Sequence, residues 1–122
     1  MTVIHGIVVD CADPEKVSTF WQAVLGWQYR RKADDWHSLA NPDGNPHLSF
    51  GTVPEGKTVK NRVHLDIRPV DRSMEEERER LEALGAATLR LVDENPDDVH
   101  YMMADPESNE FCLLSPDLDR VE

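Results

Sequence analysis

The sequence is written twice. Residues 40–50, ANPDGNPHLSF, align with residues 104–114, ADPESNEFCLL. An Ala, a Pro and an Asn coincide, Asp43 meets Glu107, and an apolar stretch follows in both. Residues 7–13 (IVVDCAD) align in the same way with 65–71 (LDIRPVD), each an apolar strand ending at an Asp. Leu25-Gly26 and Leu84-Gly85 then match as helix ends. A chain of 122 residues has room for one compact domain and not for two independent ones. Each copy is therefore a half that cannot bury its own sheet.

The first helix is well signalled. Asp13 is a good N-cap, and Pro14 suits the first helical position, where no N–H is needed. Val17, Phe20, Trp21, Val24 and Leu25 recur at the spacing of a single buried stripe, and Gly26 supplies the left-handed end. The second helix, 73–84, has only Met74, Leu81 and Leu84 on its stripe and reads as the more exposed. Its Glu75, Glu76, Glu77, Glu79 and Glu82 read as a solvated face. Strands are expected near 3–10, 27–32, 35–40, 47–52, 62–68, 87–92, 98–103 and 110–115. The turns at 41–45 and 105–109 join the last two strands of each unit. The expected fold is α+β: two βαβββ units paired into a cupped eight-stranded mixed sheet with two main helices. Residues 1–122 form the single domain, with units 1–52 and 61–117 and a connector at 52–60.

Charge narrows the partners. With 24 acidic and 13 basic residues the formal charge is −11, a field that repels nucleic acid and anionic membrane surfaces. No apolar run approaches the ~20 residues that a spanning helix needs. The N-terminal stretch lacks the basic start of a signal peptide. Cys11 and Cys112 do not form a C-x-x-C pair, and a reduced cytoplasmic setting is expected. Phosphate loops, G-x-G-x-x-G and G-x-S-x-G are absent.

The segments DPEKVSTFWQAVLGW (13–27), KNRVHLDI (60–67), LEALGA (81–86) and ADPESNEFCLL (104–114) together resemble the glyoxalase-like branch of the vicinal oxygen chelate superfamily. That resemblance implies the fold just described, but not one activity, because the fold hosts lyases, dioxygenases, epimerases and antibiotic-sequestering proteins. It also implies a homodimer. Metal-using members take ligands from the first and fourth strand of each unit, usually His, Gln or Glu. Carried onto this chain, the four positions are Gly6, Leu48, His64 and Cys112. Gly and Leu side chains cannot bind a cation, so no metal and no cofactor are expected. Two escapes stand beside this reading. A bulge would be needed to bring His5 onto the ligand face, and Glu110 would have to swing toward His64.

In the fifth strand His64, Asp66 and Arg68 alternate with Val63, Leu65 and Ile67. The apolar set suits a face packed on the helix, and the polar set then lines the cup. Those three side chains either satisfy one another or orient a polar ligand. Their counterparts Gly6, Val8 and Asp10 leave the first unit apolar and open, which favours a ligand with one apolar and one polar end. Trp36 and His100, at equivalent third-strand positions, add a stacking surface. Trp27 and Tyr29 share a face of the second strand and read as core. Cys112 reads as a small buried filler near His64. The expected binding set is His64, Asp66, Arg68, Asp10, Trp36 and Cys112. The expected function is small-molecule binding or metal-independent catalysis; the alternative is a divalent-metal lyase, epimerase or dioxygenase.

Overall fold

The computed structural model describes residues 1–117, so the last five residues of the expected domain lie outside the described residues. The chain divides into two compact units, Met1–Lys57 and Thr58–Glu122. The division falls within the expected connector. Each unit is βαβββ, as the repeat requires. The eight strands are shared between two four-stranded mixed sheets.

Unit 1 contains β1 (Gly6–Cys11), α1 (Pro14–Leu25), β2 (Gln28–Ala33), β3 (Trp36–Ala40) and β4 (His47–Thr52). The strands lie in the order β1-β4-β3-β2, with β1 parallel to β4 and the other pairs antiparallel. Asp13 caps α1, its carboxylate accepting the Lys16 N–H at 3.2 Å, and Pro14 opens the helix. Gly26 closes it at φ +70°, donating its N–H to the Gln22 carbonyl at 2.8 Å. The helix packs on β3 and β4, burying Val17, Phe20 and Trp21 where Leu39, Leu48 and Phe50 are buried in turn. Each such side chain contributes about 1.5–3 kcal/mol of transfer free energy. Val24 and Leu25 are only half-buried, so the apolar stripe weakens in its last turn.

Unit 2 contains β5 (Asp66–Ile67), α2 (Met74–Leu84), β6 (Ala87–Val92), β7 (His100–Ala104) and β8 (Glu110–Leu114), in the order β5-β8-β7-β6. Ser73 and Glu76 form a reciprocal capping box at the start of α2, and Gly85 ends it at φ +119°. Leu81 is fully buried. One glutamate departs from the expected solvated face. Glu77 lies between Met74 and Leu81 on the inward stripe and is buried, its carboxylate accepting from Arg80 Nε at 2.7 Å. A carboxylate there is tolerated because a guanidinium one turn away satisfies it.

Two expectations about register are corrected. The fifth strand was expected over 62–68, but the ladder covers only Asp66–Ile67, with one flanking bond from the Cys112 N–H to the Leu65 carbonyl. Val63 therefore has no sheet to hold it against a helix and is 78% exposed. Leu65 and Ile67 keep the expected half-buried side, while His64, Asp66 and Arg68 stay exposed.

The second correction concerns Leu48. The pair Leu39–Leu48 encloses eight residues, whereas Met103–Phe111 encloses seven. Unit 1 thus carries one more residue in its turn, and a one-residue shift reverses every side chain of the strand that follows. Leu48 pairs with Ile7 on the helix-facing side and matches Phe111. The counterpart of Cys112 is Ser49, which pairs with Val8 as Cys112 pairs with Asp66.

Candidate functional site

The face of the unit 2 sheet turned away from α2 collects the polar groups. Asp66 and Cys112 are lateral partners in the parallel pairing of β5 with β8, so both side chains leave the same side of the sheet. His64 stands two residues before Asp66 and shares that side. One donor atom from each of His64, Asp66 and Cys112 lies within 4.8 Å of the other two. The His64 Nδ1 is 3.3 Å from the Asp66 Oδ1. An imidazole whose Nδ1–H faces a carboxylate leaves its Nε2 lone pair available outward. Their side chains are 33% and 24% exposed, whereas Cys112 is 2% exposed. The thiol thus forms the floor, and the imidazole and carboxylate form the open rim.

Behind the thiol, Met102 pairs with Cys112 across β7 and β8, its sulfur 3.4 Å from the Cys112 Sγ. Arg68 lies two residues beyond Asp66 and is exposed. The structure therefore brings three of the expected residues together, while Arg68 lies just beyond the β5 ladder. One of the contacts expected within this trio is present, between His64 and Asp66.

Asp10 and Trp36 belong to unit 1. Each is paired with Gly51, so Asp10, Gly51 and Trp36 form one row across the sheet. The indole lies against Gly51: a Cβ built there would meet Trp36 Cε3 and Cζ3 at 3.1 Å. Val8, on the same face, is 53% exposed. Unit 1 thus presents an aromatic and apolar patch at Trp36 and Val8 with Asp10 at its edge, and unit 2 a more polar face. His100 is the counterpart of Trp36, and its Nδ1 is held by Asp98, 3.1 Å from the carbonyl and 3.2 Å from the carboxylate.

Neither escape for a hard-metal site joins the cluster. His5 packs edge-on against His47, ring centroids 5.4 Å apart. The Glu110 carboxylate accepts the Asn61 N–H at 3.1 Å, which ties it to the chain entering β5. Burial, with Arg30 and His5 nearby, holds the His47 imidazole below its ordinary pKa.

A second constellation was missed in the sequence. Ser18 Oγ shares hydrogen bonds with His37 Nδ1 and Tyr29 OH, both at 2.9 Å, and a Glu15 oxygen lies 3.6 Å from the same His37 nitrogen. Serine, histidine and glutamate together suggest a nucleophilic triad. The geometry argues otherwise, because serine and glutamate converge on one ring nitrogen instead of flanking the ring. Ser18 is also fully buried. In unit 2 the corresponding helix-to-sheet contact is Glu75 with Tyr101, at 2.7 Å. The constellation is a polar bolt between helix and sheet. The spacing of Glu15 and Ser18 on α1 was its signal, but pairing them with His37 requires the tertiary fold.

Among the described residues no helix is long and apolar enough to cross a membrane. No curated protein gives a significant match to the chain. Solved structures do. A glyoxalase/bleomycin resistance/dioxygenase family enzyme from Burkholderia phytofirmans aligns with a TM-score of 0.73 at 17% identity, covering 92% of this chain and 97% of its own. A fosfomycin resistance protein from Listeria monocytogenes, solved with Mn(II) and a dihydroxypropylphosphonic acid, gives 0.74 at 13% identity and covers 93% and 88%. A lactoylglutathione lyase from Agrobacterium tumefaciens gives 0.65 at 14% identity, covering 93% and 92%. At these identities the likeness is one of fold. The family model for the glyoxalase-like domain matches residues 6–114, through both units and every strand described above, and the chain belongs to that family.

Proposed function

We propose that this chain is a small-molecule-binding glyoxalase-like protein whose ligand takes its polar contacts from His64, Asp66 and Arg68 over the Cys112 floor. The carrying observation is the convergence of His64, Asp66 and Cys112 on one sheet face, away from the helix. A family match spanning 6–114 supports reading both units as parts of one domain. Arg68 supplies a planar fork suited to a carboxylate or a carbonyl oxygen. Within unit 1, Trp36 on Gly51 offers a stacking surface of its own, with Asp10 in the same row.

A hard octahedral cation of the Mn(II) kind, as in the Listeria protein, does not suit the donors here. By register the four family positions are Gly6, Ser49, His64 and Cys112. Gly6 offers no side chain, and Ser49 is buried and donates to Ser38 Oγ at 2.8 Å. A thiol replaces the carboxylate that such an ion prefers. The proposed activity is therefore not routed through that metal. Both cysteines are free of disulfide bonds and buried, which fits a reducing, cytosolic setting. The homodimer expected from the family is proposed with it.

Titration with benzoate and phenylacetate, followed by ligand-observed NMR, tests the reading. Arg68→Ala should weaken binding about ten- to a hundredfold, the loss of one charge-assisted hydrogen bond. Equal affinity in the two proteins, or no binding of any aromatic carboxylate, contradicts it.

A further inference from the structure

The irregularity in β2 turns two arginines to one side of unit 1. Tyr29 faces α1, its hydroxyl 2.9 Å from the Ser18 Oγ. Lys32 faces α1 as well, its Nζ 3.0 Å from the Glu15 Oε2 and 4.6 Å from the Tyr29 ring centroid. In a regular strand, residues three apart lie on opposite faces. The register shift between Tyr29 and Arg31 absorbs the extra residue, so Arg30 and Arg31 both leave the face away from the helix. Both residues are exposed. Among the described residues neither guanidinium makes an ion pair or a hydrogen bond, whereas Arg72, Arg78 and Arg80 of unit 2 are each held by carboxylates. The same shift in β6 gives Leu89 and Arg90, and Arg90 lies 3.7 Å from Glu94. Two adjacent cations without a carboxylate are thus particular to unit 1, in a chain of formal charge −11.

We infer that Arg30, Arg31 and His47 form a dianion site for the phosphoryl group of a small phosphate monoester, built on unit 1 alone. Arg31, Ser38 and Ser49 are paired in one row, and His47 stands two residues before Ser49, on the same face. The backbones of β2 and β4 are two strand spacings apart, about 10 Å, which arginine side chains laid across β3 can bridge. The His47 Nδ1 accepts the Asn41 N–H at 3.3 Å, so its Nε2–H is the donor left for a ligand. Burial, then the charges of Arg30 and His5, hold the His47 pKa down, which places the Arg30 charge within range of the ring. An oxyanion between them offsets that repulsion, and two guanidinium forks match the oxygens and the double charge of a phosphoryl group. Trp36 lies two residues before Ser38 on the same face, where the organic part of an aryl phosphate can stack. The Asp10 carboxylate is at the far edge, on β1, three strands from β2.

Phenyl phosphate and inorganic phosphate are titrated into the full chain by calorimetry, at fixed ionic strength and about pH 8, where the phosphoryl group is a dianion. The expected result is one equivalent of phenyl phosphate bound, more tightly than inorganic phosphate. Arg30→Gln and Arg31→Gln should each weaken it about tenfold, the loss of one charge-assisted contact. Lys32→Gln removes the same charge from the same strand but from the helix side, and should change the affinity less than about twofold. Arg68→Ala, in unit 2, should leave phosphate binding unchanged, so this site and the unit 2 reading can fail separately. Circular dichroism confirms that each variant is folded. No saturable binding, an equal loss in Lys32→Gln, a loss in Arg68→Ala, or phenyl phosphate bound no more tightly than inorganic phosphate overturns the proposal.

Discussion

Asp66 and Cys112 are paired across the parallel β5–β8 ladder, and their unit 1 counterparts, Val8 and Ser49, are paired across β1–β4 in the same way. The duplicated fold thus holds one row twice, with a carboxylate and a thiol in one copy and an isopropyl and a hydroxyl in the other. Within that row, chemistry has been concentrated in unit 2. Unit 1 keeps the row but has neither a carboxylate nor a thiol in it.

Two positions of positive φ predict opposite effects for two substitutions. Ser108 adopts φ +69° at the tip of the unit 2 turn, where unit 1 has Gly44 at φ +111°. A side chain in that conformation costs about 1 kcal/mol, so Ser108→Gly should stabilise the protein by up to that amount. Gly26 at φ +70° is the reverse case, and Gly26→Ala should cost about 1 kcal/mol. Denaturant melts of both variants check the pair; an unchanged Gly26→Ala midpoint would contradict the described end of α1.

The pH response of α2 follows from Glu75. Its carboxyl is held below the ordinary value of 4.5, first by the hydrogen bond from Arg78 and then by that from Tyr101 OH. A depressed folded value means that this contribution to stability is present above about pH 4.5 and is lost as pH falls through the folded value. The Tyr101 hydroxyl is pushed above its ordinary 10, chiefly by the same bond, so its contribution is present below that pH and is lost on raising pH through the folded value. Tyr101→Phe should move the Glu75 midpoint upward without fully restoring it, since Arg78 remains. Carboxyl-carbon NMR titration reads the midpoint. A Glu75 that does not move would show that the Tyr101 contact is not made.

Gly51 predicts a steric effect on the unit 1 surface. The added methyl of Gly51→Ala would stand 3.1 Å from the Trp36 ring and push it by a few tenths of an ångström. The expected cost is about 1–2 kcal/mol, typical of overpacking, with a displaced indole N–H resonance for Trp36. An unmoved Trp36 resonance would place the indole elsewhere.

The repeat made the βαβββ order, both helix ends and the two turns legible, because caps and turn residues act locally. The placing of His64 beside Asp66 was legible from their two-residue spacing. Leu48 was misplaced because its side depends on the number of residues in a turn. NPDGN and DPESN match so well that the extra residue after them leaves no trace in the alignment. Val63 was placed inward on a strand that the ladder does not reach. Glu77 was hidden in a run of acids, although its place between Met74 and Leu81 carried the signal. The approach of Cys112 to both His64 and Asp66 depends on the β5–β8 register, which alternation within one strand does not contain.

Amide chemical-shift mapping with benzoate tests most directly whether the unit 2 face is the binding site. The account predicts perturbations centred on Asp66, Ile67, Arg68, Cys112 and Leu113, reduced in Arg68→Ala. Perturbations centred instead on Ser18, Tyr29 and His37, with the β5 and β8 amides unmoved, would contradict it.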